Sequence, residues 1–324
     1  MRLVSLPDVP YGATAVRPEW SDLPETVRDA IGSRLGAPVT AVTSAGGGFT
    51  AAFAAVVTTA AGDRAFVKAA PLTESTSDWY AREAAITAAL PSGVRAARPR
   101  WTFAEAGYFA LCLDAVDGHV PALPWAANEL AAALEAWAAA AKVLAEPPAD
   151  VLAIGLPRLP DLIRDQLSWW TEIAAGRCPM PATPRGVPER LAELAALEQA
   201  LPALAGGGGM LHGDLRLDNV LIDRAGHAWL CDWTWPCLGA PWFDTVTLLV
   251  SAYASGLDVD RLLEPWDAPD AGVDGALAVL SGYWLVRAAG GPSTGSPHSR
   301  QHQRFSGGQA LAWLASRRGW PTTG

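Results

Sequence analysis

Hydrophobic positions fall in short β-branched runs through the first third of the chain and at helical spacing through the rest. From Val39 to Val57 two β-branched or aromatic stretches flank Gly46, Gly47 and Gly48, the pattern of an antiparallel hairpin. The Ala61-Gly62-Asp63 turn leads into a third strand, Arg64 to Ala69, closed by Pro71. Ser77 or Asp78 is placed to cap a helix that runs to Leu90 and stops at Pro91-Ser92-Gly93. Arg98 to Phe103 and Tyr108 to Leu113 read as two further strands, and Leu23 to Leu35 is a candidate helix in an extension over residues 1–38. The turn-rich segment from Asp114 to His119 then separates residues 1–117 from residues 118–324. In the second part, helices are expected at Trp125–Ala145, Leu162–Ala175, Pro188–Leu204, Thr245–Ala254, Leu277–Arg287 and Gln301–Arg318. A short hairpin, Asn219–Asp223 with Ala228–Asp232, interrupts them, and Gly290–His298 reads as a flexible loop. The pattern predicts an α+β chain: a five-stranded antiparallel sheet with a helix, then a mainly helical unit.

At 324 residues the chain suits one large domain or two lobes around a cleft. Hydrophobic residues at 50% against 18% charged exclude wholesale disorder. The net charge of −9, with no run of Lys and Arg, argues against a nucleic-acid partner. No apolar run is long enough to span a bilayer and the start lacks a signal-peptide core, so a cytoplasmic protein without membrane partner is expected. Cys112, Cys178, Cys231 and Cys237 show no CxxC spacing and read as reduced core residues. Between Asp258 and Asp274 six acids face only Arg261, which suits either a cationic ligand or a solvated surface. The 15 tryptophans read mostly as packing residues, with Trp169, Trp170, Trp233 and Trp235 as candidates for stacking on a ligand.

The stretch Met210 to Trp233 carries the chemistry: Asp214, Asn219 and Asp232 each lie beside or between apolar strand segments that would hold them rigidly. Phosphoryl transfer needs a carboxylate near the attacking hydroxyl and oxygen ligands for magnesium, and all these groups are present. The five-residue step from Asp214 to Asn219 lets a loop turn back on itself, and the hairpin brings Asp232 alongside. Only Lys68 and Lys142 are lysines, against 22 arginines, so a lysine in the strand Arg64–Lys68 stands out. A compact ammonium suits phosphates as a point charge.

His212-Gly213-Asp214-Leu215-Arg216-Leu217-Asp218-Asn219, followed by Cys231-Asp232-Trp233, resembles the catalytic loop and metal-binding segment of the aminoglycoside phosphotransferase family, small-molecule kinases related to the protein kinases. The resemblance implies a bilobal protein-kinase-like fold and transfer of the γ-phosphate of ATP, or of GTP, to a hydroxyl of a small molecule. It implies Asp214 as catalytic base, Asn219 and Asp232 as Mg2+ ligands, and Lys68 on the α- and β-phosphates. Glu83 is the expected partner of Lys68, with Glu74 as the alternative. His212 would brace the loop and Asp244 would hydrogen-bond it. Arg216 would reach the transferred phosphoryl group or close an ion pair. Gly46, Gly47, Gly48 and Phe49 would cover the nucleotide phosphates, the other reading being an ordinary hairpin turn. The hinge, including Asp114 and Val116, would present its backbone to the adenine edge. A cationic, amine-bearing acceptor such as an aminoglycoside is expected, and with it a role in antibiotic resistance. The competing readings are a catalytically silent nucleotide-binding or scaffolding protein, and a kinase of a sugar, a choline-like alcohol or homoserine. A protein kinase is disfavoured, because no Asp-Phe-Gly precedes an Ala-Pro-Glu. Oligomeric state is not readable.

Overall fold

The computed structural model describes residues 3–321. The first part contains helix α1 (Glu25–Leu35), strands β1 (Val39–Ser44), β2 (Phe53–Thr59) and β3 (Arg64–Pro71), helix α2 (Ser75–Ala89), and strands β4 (Pro99–Glu105) and β5 (Tyr108–Asp114). The strands form one antiparallel sheet in the order β1-β2-β3-β5-β4. Side chains alternate across a strand. Ala65, Val67 and Ala69 of β3 therefore join Val27 and Ile31 of α1 on one face, while Phe66 and Ala70 pack with Tyr80 and Ala84 of α2 on the other. Lys68 shares that second face, beneath α2.

The expected cap of α2 is displaced. The helix begins at Ser75, with Glu74 in the N-cap position and no side-chain cap. Ser77 sits one turn too late for the task, and its hydroxyl donates back to the carbonyl of Glu74 at 2.7 Å.

The second part opens with β6 (Gly118–His119) and holds helices α3 (Ala127–Val143), α4 (Ala149–Ala153), α5 (Leu159–Leu162), α6 (Trp169–Ala174) and α7 (Leu191–Leu204). After them come β7 (Met210–Leu211), β8 (Val220–Asp223), β9 (Ala228–Leu230) and β10 (Cys237–Leu238), then helices α8 (Trp242–Ala254), α9 (Val259–Leu263), α10 (Asp270–Ala289) and α11 (Ser299–Arg318). The strand β8 lies between β6 and β9, and β7 pairs with β10. The expected helix over Leu162–Ala175 is broken: a π turn at Ile163–Leu167 ends at Ser168, and α6 restarts after it. The buried Glu198 carboxylate fixes the restart by accepting the N–H groups of Trp170 and Thr171 at 3.1 and 2.8 Å. The helix expected over Leu277–Arg287 starts seven residues earlier, at Asp270. Its glycines are packing residues, since a Cβ at Gly275 would lie 3.0 Å from that of Leu201.

Of the tryptophans singled out for stacking, Trp170 and Trp233 are fully buried. Their indole N–H groups donate to the carbonyls of Ala278 and Leu230 at 2.9 and 3.0 Å, as buried indoles must. Only Trp235 among the four is well exposed, at 49%. No helix among the described residues is long and apolar enough to cross a membrane.

Candidate active site

A cleft between the sheet and the helical part is lined from one side by Gly46–Phe49, Lys68 and Glu83, and from the other by Asp214, Asn219 and Asp232. Lys68 reaches it from mid-β3, paired with Ala54 and Leu111 on the flanking strands. Its ammonium donates to both carboxylate oxygens of Glu83, at 2.8 and 2.6 Å. Glu74 makes no such contact, so Glu83 is the partner. Burial opposes the charge on Lys68, but Asp232 and Glu83 outweigh it and hold the ammonium protonated. The same ammonium lies 3.9 Å from Asp232, across the cleft.

The loop between β7 and β8 carries the base candidate. Gly213 has φ 79°, and a Cβ there would run into the carbonyl of Trp235, so glycine is required between His212 and Asp214. Asp244, at the start of α8 and fully buried, accepts the N–H of His212 at 2.6 Å and that of Gly213 at 3.2 Å. His212 is also fully buried, and burial pushes its pKa down to about 4, so the ring is neutral. Its Nε2–H donates to the carbonyl of Cys231 at 2.8 Å while Nδ1 accepts the N–H of Asp214 at 3.3 Å. The ring thus ties the base loop to the segment that carries Asp232.

Asp214 remains 29% exposed to the cleft. Burial drives its pKa up to about 7, against the opposing pull of Arg216. A carboxylate tuned to neutrality suits a proton acceptor at physiological pH. Asn219 donates its amide N–H to the main-chain carbonyl of Asp214 at 2.8 Å and to its carboxylate at 3.2 Å. That assignment turns the amide oxygen away from Asp214. Asp232 sits just beyond β9 at φ 61°, a left-handed conformation that aspartate tolerates. Thr234 donates to it at 2.6 Å, and although burial opposes ionisation, Lys68 and this hydroxyl hold its pKa below the usual carboxylate range. The Asn219 amide oxygen and the Asp232 carboxylate are hard oxygen donors. They fit magnesium, which takes one or two protein oxygens and completes its shell with phosphate and water. No group of three or more His, Cys, Asp or Glu among the described residues forms an all-protein metal cage.

Arg216 is not a surface residue. It is 25% exposed, donates to Asp218 at 2.9 Å, and lies 3.4 Å from Asp214 and 5.4 Å from the ring centroid of Phe49. It therefore bridges the base loop and the tip of the glycine loop. At the hinge, Asp114 and Val116 both line the cleft. The Asp114 carboxylate, however, is taken by Arg100 at 2.8 Å, and its N–H by the carbonyl of Arg98. The backbone beyond it is better placed for a ligand edge.

The acidic segment is a correction. None of the six acids from Asp258 to Asp274 lines the cleft. Arg317 of α11 instead binds Asp260, Asp270 and Asp274, the last at 2.6 Å, and Arg318 adds a second contact to Asp274. Those three carboxylates are met by arginines 43 or more positions away, which local reading had no means to pair. The sequence reading also passed over Asp218, Thr234 and Arg17. Asp218 lay within the motif itself, whereas nothing local marks Arg17.

A sheet–helix lobe facing a helical lobe, with a lysine–glutamate pair on one wall and an Asp, Asn and Asp on the other, defines a kinase-like phosphotransferase. The chain matches the phosphotransferase enzyme family over residues 41–275 and belongs to that family. The fold is that of the solved aminoglycoside phosphotransferases. A ternary complex of aminoglycoside phosphotransferase APH(4)-Ia with ADP and hygromycin B superposes with TM-score 0.62 at 13% identity, over 90% of this chain and 98% of that one. A GDP complex of aminoglycoside 2′-phosphotransferase IIIa gives 0.58 at 16%, over 87% and 92%. The aminoglycoside phosphotransferase from Alicyclobacillus acidocaldarius gives 0.51 at 16%, over 87% and 92%. No curated protein matches the sequence. Family membership makes the chain a phosphotransferase.

Proposed function

We propose that the chain transfers the γ-phosphate of ATP, or of GTP, to a hydroxyl group of a small molecule. The observation that carries this reading is the 3.9 Å approach of Lys68 to Asp232, which brings a phosphate-binding cation to the metal-ligand side of the same cleft that holds Asp214. Lys68, oriented by Glu83, holds the α- and β-phosphates. The Asn219 amide oxygen and the Asp232 carboxylate would hold magnesium, which when bound would supply neutralising charge to the phosphates. Asp214 accepts the proton of the acceptor hydroxyl as its oxygen attacks the γ-phosphorus, and the bond to the β-phosphate oxygen breaks, leaving the nucleoside diphosphate. Arg216 faces the charge that develops on the transferred group. Asp244 and His212 keep the loop in place, and the backbone at Ala115 and Val116 meets the base of the nucleotide.

The acceptor wall is aromatic and basic. Tyr283, Trp284 and Arg287 of α10 line the cleft together with Trp235, and Arg287 lies 5.5 Å from the Tyr283 ring and 5.8 Å from that of Trp169, with no carboxylate partner among the described residues. Amine-bearing acceptors belong in the same comparison, since the APH(4)-Ia complex contains hygromycin B. The wall favours acceptors with a flat apolar part and few positive charges. The test is a screen of aminoglycosides, neutral hydroxylated compounds and hydroxy acids for acceptor-dependent nucleoside diphosphate release, with ATP and GTP in parallel. Acceptor-dependent release above the water-only rate is expected. Its absence with every acceptor and both nucleotides contradicts the reading.

A further inference from the structure

Residues 10–17 lie outside the family-matched segment, yet they run along the glycine loop between β1 and β2. The N–H of Ala15 donates to the carbonyl of Gly46 at 2.9 Å, and the Thr14 hydroxyl to that of Gly48 at 3.1 Å. Arg17 supplies the rest. Its Nε donates to the carbonyl of Ala45 at 3.3 Å, Nη2 to Gly47 at 3.0 Å, and Nη1 to the carbonyls of Thr50 and Ala52 at 3.2 and 2.9 Å and to the Thr50 hydroxyl at 3.1 Å. The Phe49 carbonyl accepts the N–H of Ser296 at 2.8 Å. Every carbonyl from Ala45 to Thr50 is therefore occupied.

The amide side of the same loop is the opposite. Among the described residues, none of the N–H groups of Gly46 through Thr50 donates to a protein acceptor. The contact is too close for any side chain at Gly46, where a Cβ would run into the carbonyl of Gly12. A loop whose carbonyls are all tied back and whose amides are unspent is arranged to receive an anion. The loop lines the same cleft as Lys68 and Asp232.

We propose that Arg17 is a positioning residue for the nucleotide phosphates: by gathering the carbonyls of the glycine loop, it holds the loop amides towards the phosphate chain. The inference rests on the phosphotransferase reading above. Its mechanism is preorganisation, because without Arg17 the loop carbonyls are free to rotate towards the phosphates and repel them. Lysine is no substitute, since one ammonium carries three donors from a single point and cannot span carbonyls that a planar fork reaches from three nitrogens.

The experiment titrates Mg·ATP and, separately, adenosine into the wild-type protein, Arg17→Ala, Arg17→Lys and the near-isosteric Thr14→Val, with thermal melts and steady-state kinetics alongside. Arg17→Ala is expected to weaken Mg·ATP binding by about ten- to a hundredfold, the worth of hydrogen bonds to a charged group. KM for nucleotide rises with kcat little changed, adenosine affinity stays within about twofold, Arg17→Lys fails to rescue, and Thr14→Val loses a smaller part. Unchanged Mg·ATP affinity in folded Arg17→Ala overturns the proposal, as does an equal loss for adenosine. If Arg17→Ala does not fold, an unaltered Mg·ATP affinity in Thr14→Val overturns it instead. Failure of the wild-type protein to bind Mg·ATP, or Mg·GTP titrated as a control, sinks the phosphotransferase reading itself, whereas tight wild-type binding with no effect of the Arg17 and Thr14 variants sinks only this inference.

Discussion

Two knots of opposite charge sit in this molecule, and they differ in whether their charge is spent. Away from the cleft, Arg317 gathers Asp260, Asp270 and Asp274, with Arg318 reinforcing the last. Each carboxylate there is met by at least one guanidinium, and the cluster clasps α11 to α9 and α10. In the cleft, Lys68 is matched by Glu83, but Asp214 and Asp232 face each other's surroundings with one amide, one hydroxyl and a shared fringe of Lys68 and Arg216 between them. Two carboxylates at one opening are met only by longer ion pairs, at 3.4 and 3.9 Å. The comparison teaches that acid count marks neither a site nor a ligand. Unspent charge, held rigidly at an opening, does.

The sharpest way to break the comparison is at Asp214. Asp214→Asn is expected to lower turnover roughly 10²- to 10⁴-fold, the usual worth of a positioned base, while Mg·ATP still binds. Its effect on stability runs the other way. The folded pKa near 7 lies above that of an unfolded aspartate, so the native protein binds the extra proton, and the stability this contributes is lost as pH rises towards 7. At pH 8 the variant should therefore melt no lower than wild type. Turnover within about twofold of wild type in the folded variant would remove the base role.

A smaller effect comes from pH alone. Since Asp214 accepts a proton only when ionised, and burial sets its pKa at about 7, single-turnover rates should be level above that value and fall about tenfold per unit well below it. In Asp214→Asn the slope should vanish. A wild-type profile flat down to pH 5 would contradict the assignment.

Smallest for catalysis is the clasp. Arg317→Ala is expected to cost about 1–3 kcal/mol of stability, by loss of hydrogen bonds between charged groups, and to leave kcat/KM unchanged. Denaturant unfolding and steady-state assays read the two sides. A drop in kcat/KM without loss of stability would tie the acidic segment to the reaction after all.

What was legible in the sequence follows the same division. The five strands are short apolar or aromatic runs between turn residues, and the loop from His212 to Asn219 keeps its chemistry within eight residues, so both could be read locally. Lys68 stood out because lysine is scarce, and Glu83 because it falls fifteen positions later on a helix. The first two turns of α10 were hidden, because Gly272 and Gly275 look like helix breakers until their close neighbours Trp242 and Leu201 are known. Arg17 left no local sign, since its partners are main-chain carbonyls 28 to 35 positions away and carry no side-chain pattern. The partners of the acidic segment were equally remote, and the cationic-ligand reading of that segment failed for that reason.

The central claim is that Asp232 and Asn219 share a divalent cation with a nucleotide held by Lys68. Calorimetric titration of ATP into the wild-type protein and Asp232→Asn, each with and without Mg2+, tests it most directly. The account predicts tight binding only for wild type with Mg2+, and a loss in Asp232→Asn that added Mg2+ does not restore. Equal affinity in all four titrations would contradict it.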